Sequence, residues 1–275
     1  MTASAIAQAT GVARDRPIGR SVSIVGHQLR YDTLAMLRNR QARFFSLGLP
    51  VGMMLLFVSI FGSGMVPIGG GRLVDGTTYY VTSQTVFGIV DAAFMALAIV
   101  VVTQREQGVL KRRRSTPEPA WVVIASRTIL SVGLALATGS ELLVIGRVAY
   151  GMSLPLAASL QVAIVIVIGA ATCCCLGFAV STFIGTPDAA MPVVTAATLP
   201  LFFISGIFVP WGMIPTWLQK LAAVTPVRHL AIAVRAPLDP TSGTLPWASL
   251  GVIAGWGVAG LLVALARFRW SPTPR

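Results

Sequence analysis

Acidic side chains are scarce in this sequence: nine Asp and Glu stand against 21 Lys and Arg, and charged residues make up only 11% of 275 positions. A soluble domain of this length carries roughly a quarter charged residues. The shortage, with 55% hydrophobic residues and a mean hydropathy of +0.79, excludes that class and marks an integral membrane protein. The surplus of +12 does not point to nucleic acid, because the basic residues cluster at the ends of apolar runs rather than along one polar face. Lysine is almost missing, and this excludes a phosphate-cradling P-loop, which needs Gly-Lys: Lys111 and Lys220 follow Leu110 and Gln219. Cysteine occurs only as the run Cys173 to Cys175. Adjacent helical positions point about 100° apart, so one helix cannot converge these thiols on an ion, and they read as small apolar packing. His27 and His229 stand far apart without metal-ligand spacing, and no metal site is expected. Gly-x-Ser-x-Gly and His-Glu-x-x-His are both missing, and Asp91 is the lone acid expected at mid-span, which argues against a membrane-embedded enzyme. A secondary carrier demands no short motif and stays open, although no inverted repeat is evident.

What the chain does contain is long apolar runs. Six of them, near 44–66, 79–103, 121–146, 156–182, 189–209 and 247–266, are about 20 residues or more, enough to cross about 30 Å of hydrocarbon. The expected fold is an all-α integral membrane protein, with six transmembrane helices in a domain over 44–266. Residues 1–20 include Arg14, Asp15, Arg16 and Pro17 but no apolar h-region, so they read as a cytoplasmic tail rather than a signal peptide. Over 21–43, Val22, Val25, Leu29, Met36 and Leu37 recur at helical spacing among Arg30, Arg38, Arg40 and Arg43, as in an amphipathic interfacial helix. The densest charge lies in the loop 104–120, QREQGVLKRRRSTPEPA, between the second and third runs. By the positive-inside rule this loop, both termini and the tail 267–275 are cytoplasmic in a multi-pass protein of the cell membrane. Arg72, Arg147, Lys220, Arg228 and Arg235 make up the sparse outer set. The segment 210–246 is too long for a turn; Trp217, Leu218, Leu221 and Ala222 space like one face of a short helix bracketed by Pro215 and Pro226. Its apolar content suits a re-entrant or interfacial element, either a gate or a plug.

Asp91 falls about twelve residues into the second span, near the membrane centre, with Gln84 on the same face at i−7. A charge there either makes a hydrogen bond between helices or lines a substrate path. Aromatic residues of the fifth span, Phe202 and Phe203, are candidates for the same path.

The loop resembles the cytoplasmic loop of ABC-2-type exporter permeases, matching at Arg105, Glu106, Gly108, Leu110, Arg112, Thr116 and Pro117. The stretch from Leu199 to Arg235 is similar to the family's segment between its last two spans, matching at Ser205, Gly206, Pro210, Pro215, Trp217, Pro226 and Arg235. The branch it looks most like is the daunorubicin-resistance type of drug and lipid exporters. The resemblance implies a permease that pairs with a second permease subunit, identical or different, and with two copies of a separate ATP-binding cassette ATPase. ATP and Mg would be held by that partner, with no cofactor on this chain. It further implies that a short coupling helix in the loop docks on the ATPase, with Arg105 and Glu106 presented to it. The cargo would be a hydrophobic or amphiphilic drug, antibiotic or lipid drawn from the membrane, with a lipid-linked glycan as the alternative.

Overall fold

The computed structural model describes residues 18–69, 71–107, 120–239 and 243–267. Its architecture is a helical bundle in which six helices are long and apolar enough to cross a membrane. The N-terminal helix α1, Ile18–Arg38, runs on through a short turn of helix at Arg40–Arg43 into span 1, Phe44–Phe61. The first five residues of span 1, Phe44–Gly48, are wound as a π-helix.

The first apolar run does not continue to Val66 as its hydropathy suggests. The helix stops at Phe61, where the Gly62 amide donates to the Val58 carbonyl, and a small antiparallel hairpin follows: β1, Met65–Gly69, and β2, Arg72–Asp75. Proline and five glycines within 62–71 stop the helix here and permit the tight return. Asp75 then caps span 2, Gly76–Glu106, by accepting from the Thr78 amide at 3.0 Å. Span 2 has 31 residues and so reaches roughly 46 Å, and it carries a second π segment at Asp91–Met95.

The remaining spans are Ile124–Tyr150 (the end of a helix that begins at Ala120), Leu156–Ser181, Pro187–Ile204 and Trp247–Arg267. Span 5 ends five residues short of the expected Val209, because Gly206 turns the chain with φ +81°. Between spans 5 and 6 lie a 3-10 turn at Trp211–Met213, α2 at Thr216–Ala222 and α3 at Pro226–Arg235. Only α2 was foreshadowed by the sequence, and even there Trp217 and Leu221 are exposed while Ala222 is buried.

The core centres on span 4, which packs against spans 2, 3 and 6 and against α3. Small residues make this closeness possible. A Cβ on Gly169 would sit 2.5 Å from Leu230 Cδ1 of α3, and one on Gly257 of span 6 would sit 2.9 Å from Thr172 Oγ1. Tyr79 and Tyr80, near the start of span 2, are buried in the bundle.

Candidate functional site

Span 2 organises the candidate site, and its two ends are held by different chemistry. At the end nearest the hairpin, the partner is α3. Arg228 and Arg235 lie two turns apart on one face of this helix, and both are buried, at 7% and 4% exposure. The Arg235 guanidinium donates to Thr82 Oγ1 at 3.3 Å and to Ser83 Oγ at 3.2 Å, and it lies 4.0 Å over the Tyr79 ring. Tyr79 in turn donates to the Gly206 carbonyl at 2.6 Å. The Arg228 guanidinium stacks 3.5 Å from the centre of the Trp211 ring, and its Nη1 reaches the Ser205 carbonyl at 3.5 Å. Arg72 of β2 forms an ion pair with Asp239, just beyond α3. The hairpin, span 2, α3 and the turn after span 5 are thereby one connected polar network.

Burial lowers the Arg228 pKa to about 10, helped by the like charge of Arg235 and opposed by Tyr79. Burial also lowers that of Arg235. Both remain cations at neutral pH, solvated by aromatic faces, hydroxyls and carbonyls in place of water. Counting basic residues had treated these two arginines as loop charges; they are inside.

The segment residues named from the sequence fall at element boundaries. Pro210 and Pro215 immediately precede the 3-10 turn and α2, and Pro226 is the first residue of α3. Ser205 is buried, with its hydroxyl 3.5 Å from Thr225 Oγ1, and Trp217 faces outward. His229 bridges α3 to its surroundings, Nδ1 lying 3.3 Å from Ser249 Oγ and Nε2 2.8 Å from the Ala223 carbonyl.

Toward the end of span 5, Phe202 and Phe203 join an aromatic cluster built from three spans. Phe87 packs 5.1 Å from Phe202, and Phe208 lies within 6 Å of Phe57, Phe87, Phe202 and Phe203. Gln84 is fully buried and neither amide atom has a hydrogen-bond partner among the described residues. Asp91 is the first residue of the π segment and only half-buried. No hydrogen bond among the described residues ties Gln84 or Asp91 to the aromatic cluster. A narrow apolar cavity of about 60 Å³ lies alongside, between Val90 and Phe94 of span 2, Gly169 and Cys173 of span 4, and Leu230 of α3.

The other end of span 2 meets the loop. Arg105 is buried: its Nη1 donates to the Ser181 carbonyl at 3.0 Å, its Nη2 to the Ile184 carbonyl, and its Nε to Glu106 Oε1 at 2.9 Å. It therefore caps the C-terminus of span 4, whose last carbonyls have no partner within the helix. The resemblance implied a side chain presented to a partner; the structure turns the guanidinium of Arg105 inward. Gly108, Leu110, Arg112, Thr116 and Pro117 lie outside the described residues.

Six membrane-length helices, the most buried of them bearing charged side chains, with α2 and α3 between spans 5 and 6, define a multi-pass helical membrane protein. The chain belongs to the ABC-2 type transporter family, whose family model matches residues 27–238. It is also 28% identical over 155 residues to the probable multidrug ABC transporter permease YbhR of Escherichia coli K12, and equally to that of strain O157:H7. The aligned stretch covers 56% of this chain and 42% of each relative, so the chain spans less than half the length of the curated relatives it matches.

Proposed function

We propose that this chain is the permease subunit of an ATP-binding cassette exporter, moving a hydrophobic or amphiphilic drug or lipid outward across the cell membrane. Membership of the ABC-2 family supports this, as does the likeness to the YbhR relatives, probable multidrug ABC transporter permeases. The observation that carries it is the anchoring of span 2 at both ends. At one end Arg105 welds it to span 4 next to the loop; at the other, Thr82, Ser83 and Tyr79 fasten it to α3 and to the turn at Gly206. A displacement of the loop by a cytoplasmic ATPase would reach spans 2 and 4 together, and through them the outer segment, without being absorbed by sliding between helices.

In this reading two ATPase subunits, holding ATP and Mg, press on the loops of two permease subunits. The termini face the cytoplasm, α1 lies at the interface, and the aromatic cluster with its neighbouring apolar cavity offers cargo a surface free of charge. The resemblance to the daunorubicin-resistance branch favours drug or lipid over a glycan. The test is co-purification with the nucleotide-binding subunit in gentle detergent. Glu106→Arg sets a second cation against Arg105 and is expected to weaken the complex by about tenfold or more at unchanged membrane abundance. A chain that purifies without any ATPase, partners being present in the cell, would overturn the proposal.

A further inference from the structure

A larger cavity lies at the loop end, remote from the α3 network. It measures about 330 Å³ and is walled by α1, the start of span 1, span 2 and span 3. Its apolar lining, called the floor below, includes Ala96 and Leu97 from span 2 and Leu134 from span 3. Its polar lining, called the rim below, is Asp32 from α1, Asn39 just after it, Ser46 from the π segment of span 1, and Arg127 and Ser131 from span 3. The volume falls in the range of small-ligand pockets, and a lining that holds both apolar and charged groups suits an amphiphile.

The rim also shows which head group fits. Arg127 Nη2 lies 3.4 Å from Asp32 Oδ1, a long contact for charged partners. The second oxygen, Asp32 Oδ2, is buried and accepts no hydrogen bond from the described residues. An ionised carboxylate has lone pairs for several donors, and leaving one oxygen dry and unpaired is unfavourable. A donor reaching that oxygen from the cavity would satisfy it, and a cationic N–H donor would do so most strongly. A phosphate beside that ammonium would meet Arg127 on the same rim, and an acyl chain would lie over Ala96, Leu97 and Leu134.

We propose that this cavity binds an amphiphile with a primary ammonium head, the ammonium on Asp32 and the tail on the floor between spans 2 and 3. Two sources share this chemistry: a phosphatidylethanolamine of the bilayer and a single-chain alkylamine. The site stands apart from the transport reading, because occupancy is measured without turnover and without an ATPase.

The experiment is native mass spectrometry of the full chain in mild detergent, titrated with phosphatidylethanolamine, phosphatidylglycerol of the same chains, and dodecylamine. Phosphatidylethanolamine is expected to be retained about tenfold better than phosphatidylglycerol, the scale of one charge-assisted hydrogen bond. Asp32→Asn should abolish that preference. Ala96→Phe, which fills the floor and leaves the Asp32–Arg127 pair in place, should abolish retention of both lipids. Displacement of the lipid by dodecylamine assigns the site to ammonium amphiphiles at large; resistance to displacement, with the lipid preference intact, assigns it to the phospholipid head. Equal retention of the two lipids overturns the proposal, as does a preference that survives Asp32→Asn. Should Asp32→Asn not fold, a folded Ala96→Phe that still selects phosphatidylethanolamine overturns it on its own.

Discussion

Gln84 and Arg235 are polar side chains on neighbouring elements, both removed from solvent, and their surroundings differ sharply. Arg235 has hydroxyls from Thr82 and Ser83 and the face of Tyr79, so its charge is spread over partners that the fold supplies. Gln84 has neither donor nor acceptor satisfied. A buried amide without partners is unfavourable by about 1–3 kcal/mol, so Gln84→Leu, of similar volume, should raise the unfolding temperature of the purified chain by several degrees. Transport separates the two roles weighed for this face of span 2. Loss of efflux in the stabilised variant would mean that the amide meets cargo during the cycle. Unchanged efflux would remove Gln84 from the path. Arg105 belongs to the same scale: the basic cluster that flags the loop says on which side charges lie, but not that one of them turns back to cap span 4.

At the scale of elements, the turn at Ser205–Gly206 is a tightly constrained piece of the segment between spans 5 and 6. Gly206 has φ +81°, and a Cβ there would stand 3.3 Å from both Arg228 Nη1 and Tyr79 Oη. Gly206→Ala should therefore destabilise by about 1–3 kcal/mol and loosen both arginine contacts. Gly133, inside the span 3 helix with nothing within 4 Å of its would-be Cβ, is the matched control. Gly133→Ala should be neutral or stabilise by up to about 1 kcal/mol. Thermal unfolding of the two variants checks this, and equal losses in both would mean that the turn carries no special strain. The same comparison explains what could be read from sequence. Spans were legible because a run of about 20 apolar residues has one dominant physical cause, and the prolines at 210, 215 and 226 marked true boundaries. The hairpin was not legible, since Met65 and Val66 extend the first apolar run and each strand is too short to show alternation. Nor was α3, because a rule that counts charges in loops cannot see that Arg228 and Arg235 have aromatic and hydroxyl partners elsewhere in the chain. The π segments at Phe44–Gly48 and Asp91–Met95 have no sequence signature to find.

For the whole molecule, the decisive property is polarity from end to end. Span 2 is the most buried of the six spans and carries a contact system at each end, whereas spans 1 and 5 are the most exposed and turn apolar surface outward from the bundle. Such a body transmits a push only if the loop and the outer segment lie on opposite sides of the membrane, with the loop inside. The charge asymmetry predicts that arrangement. In a background with Cys173, Cys174 and Cys175 replaced by alanine, Ser115→Cys should resist a membrane-impermeant maleimide in intact cells and react once they are permeabilised. Met213→Cys, at a position 70% exposed beyond span 5, should react in intact cells. The reverse pattern, with position 115 labelled from outside and 213 protected, would place the loop out of reach of any ATPase. The transport reading would then fall, while the ammonium site behind α1 would still be decided by its own titration.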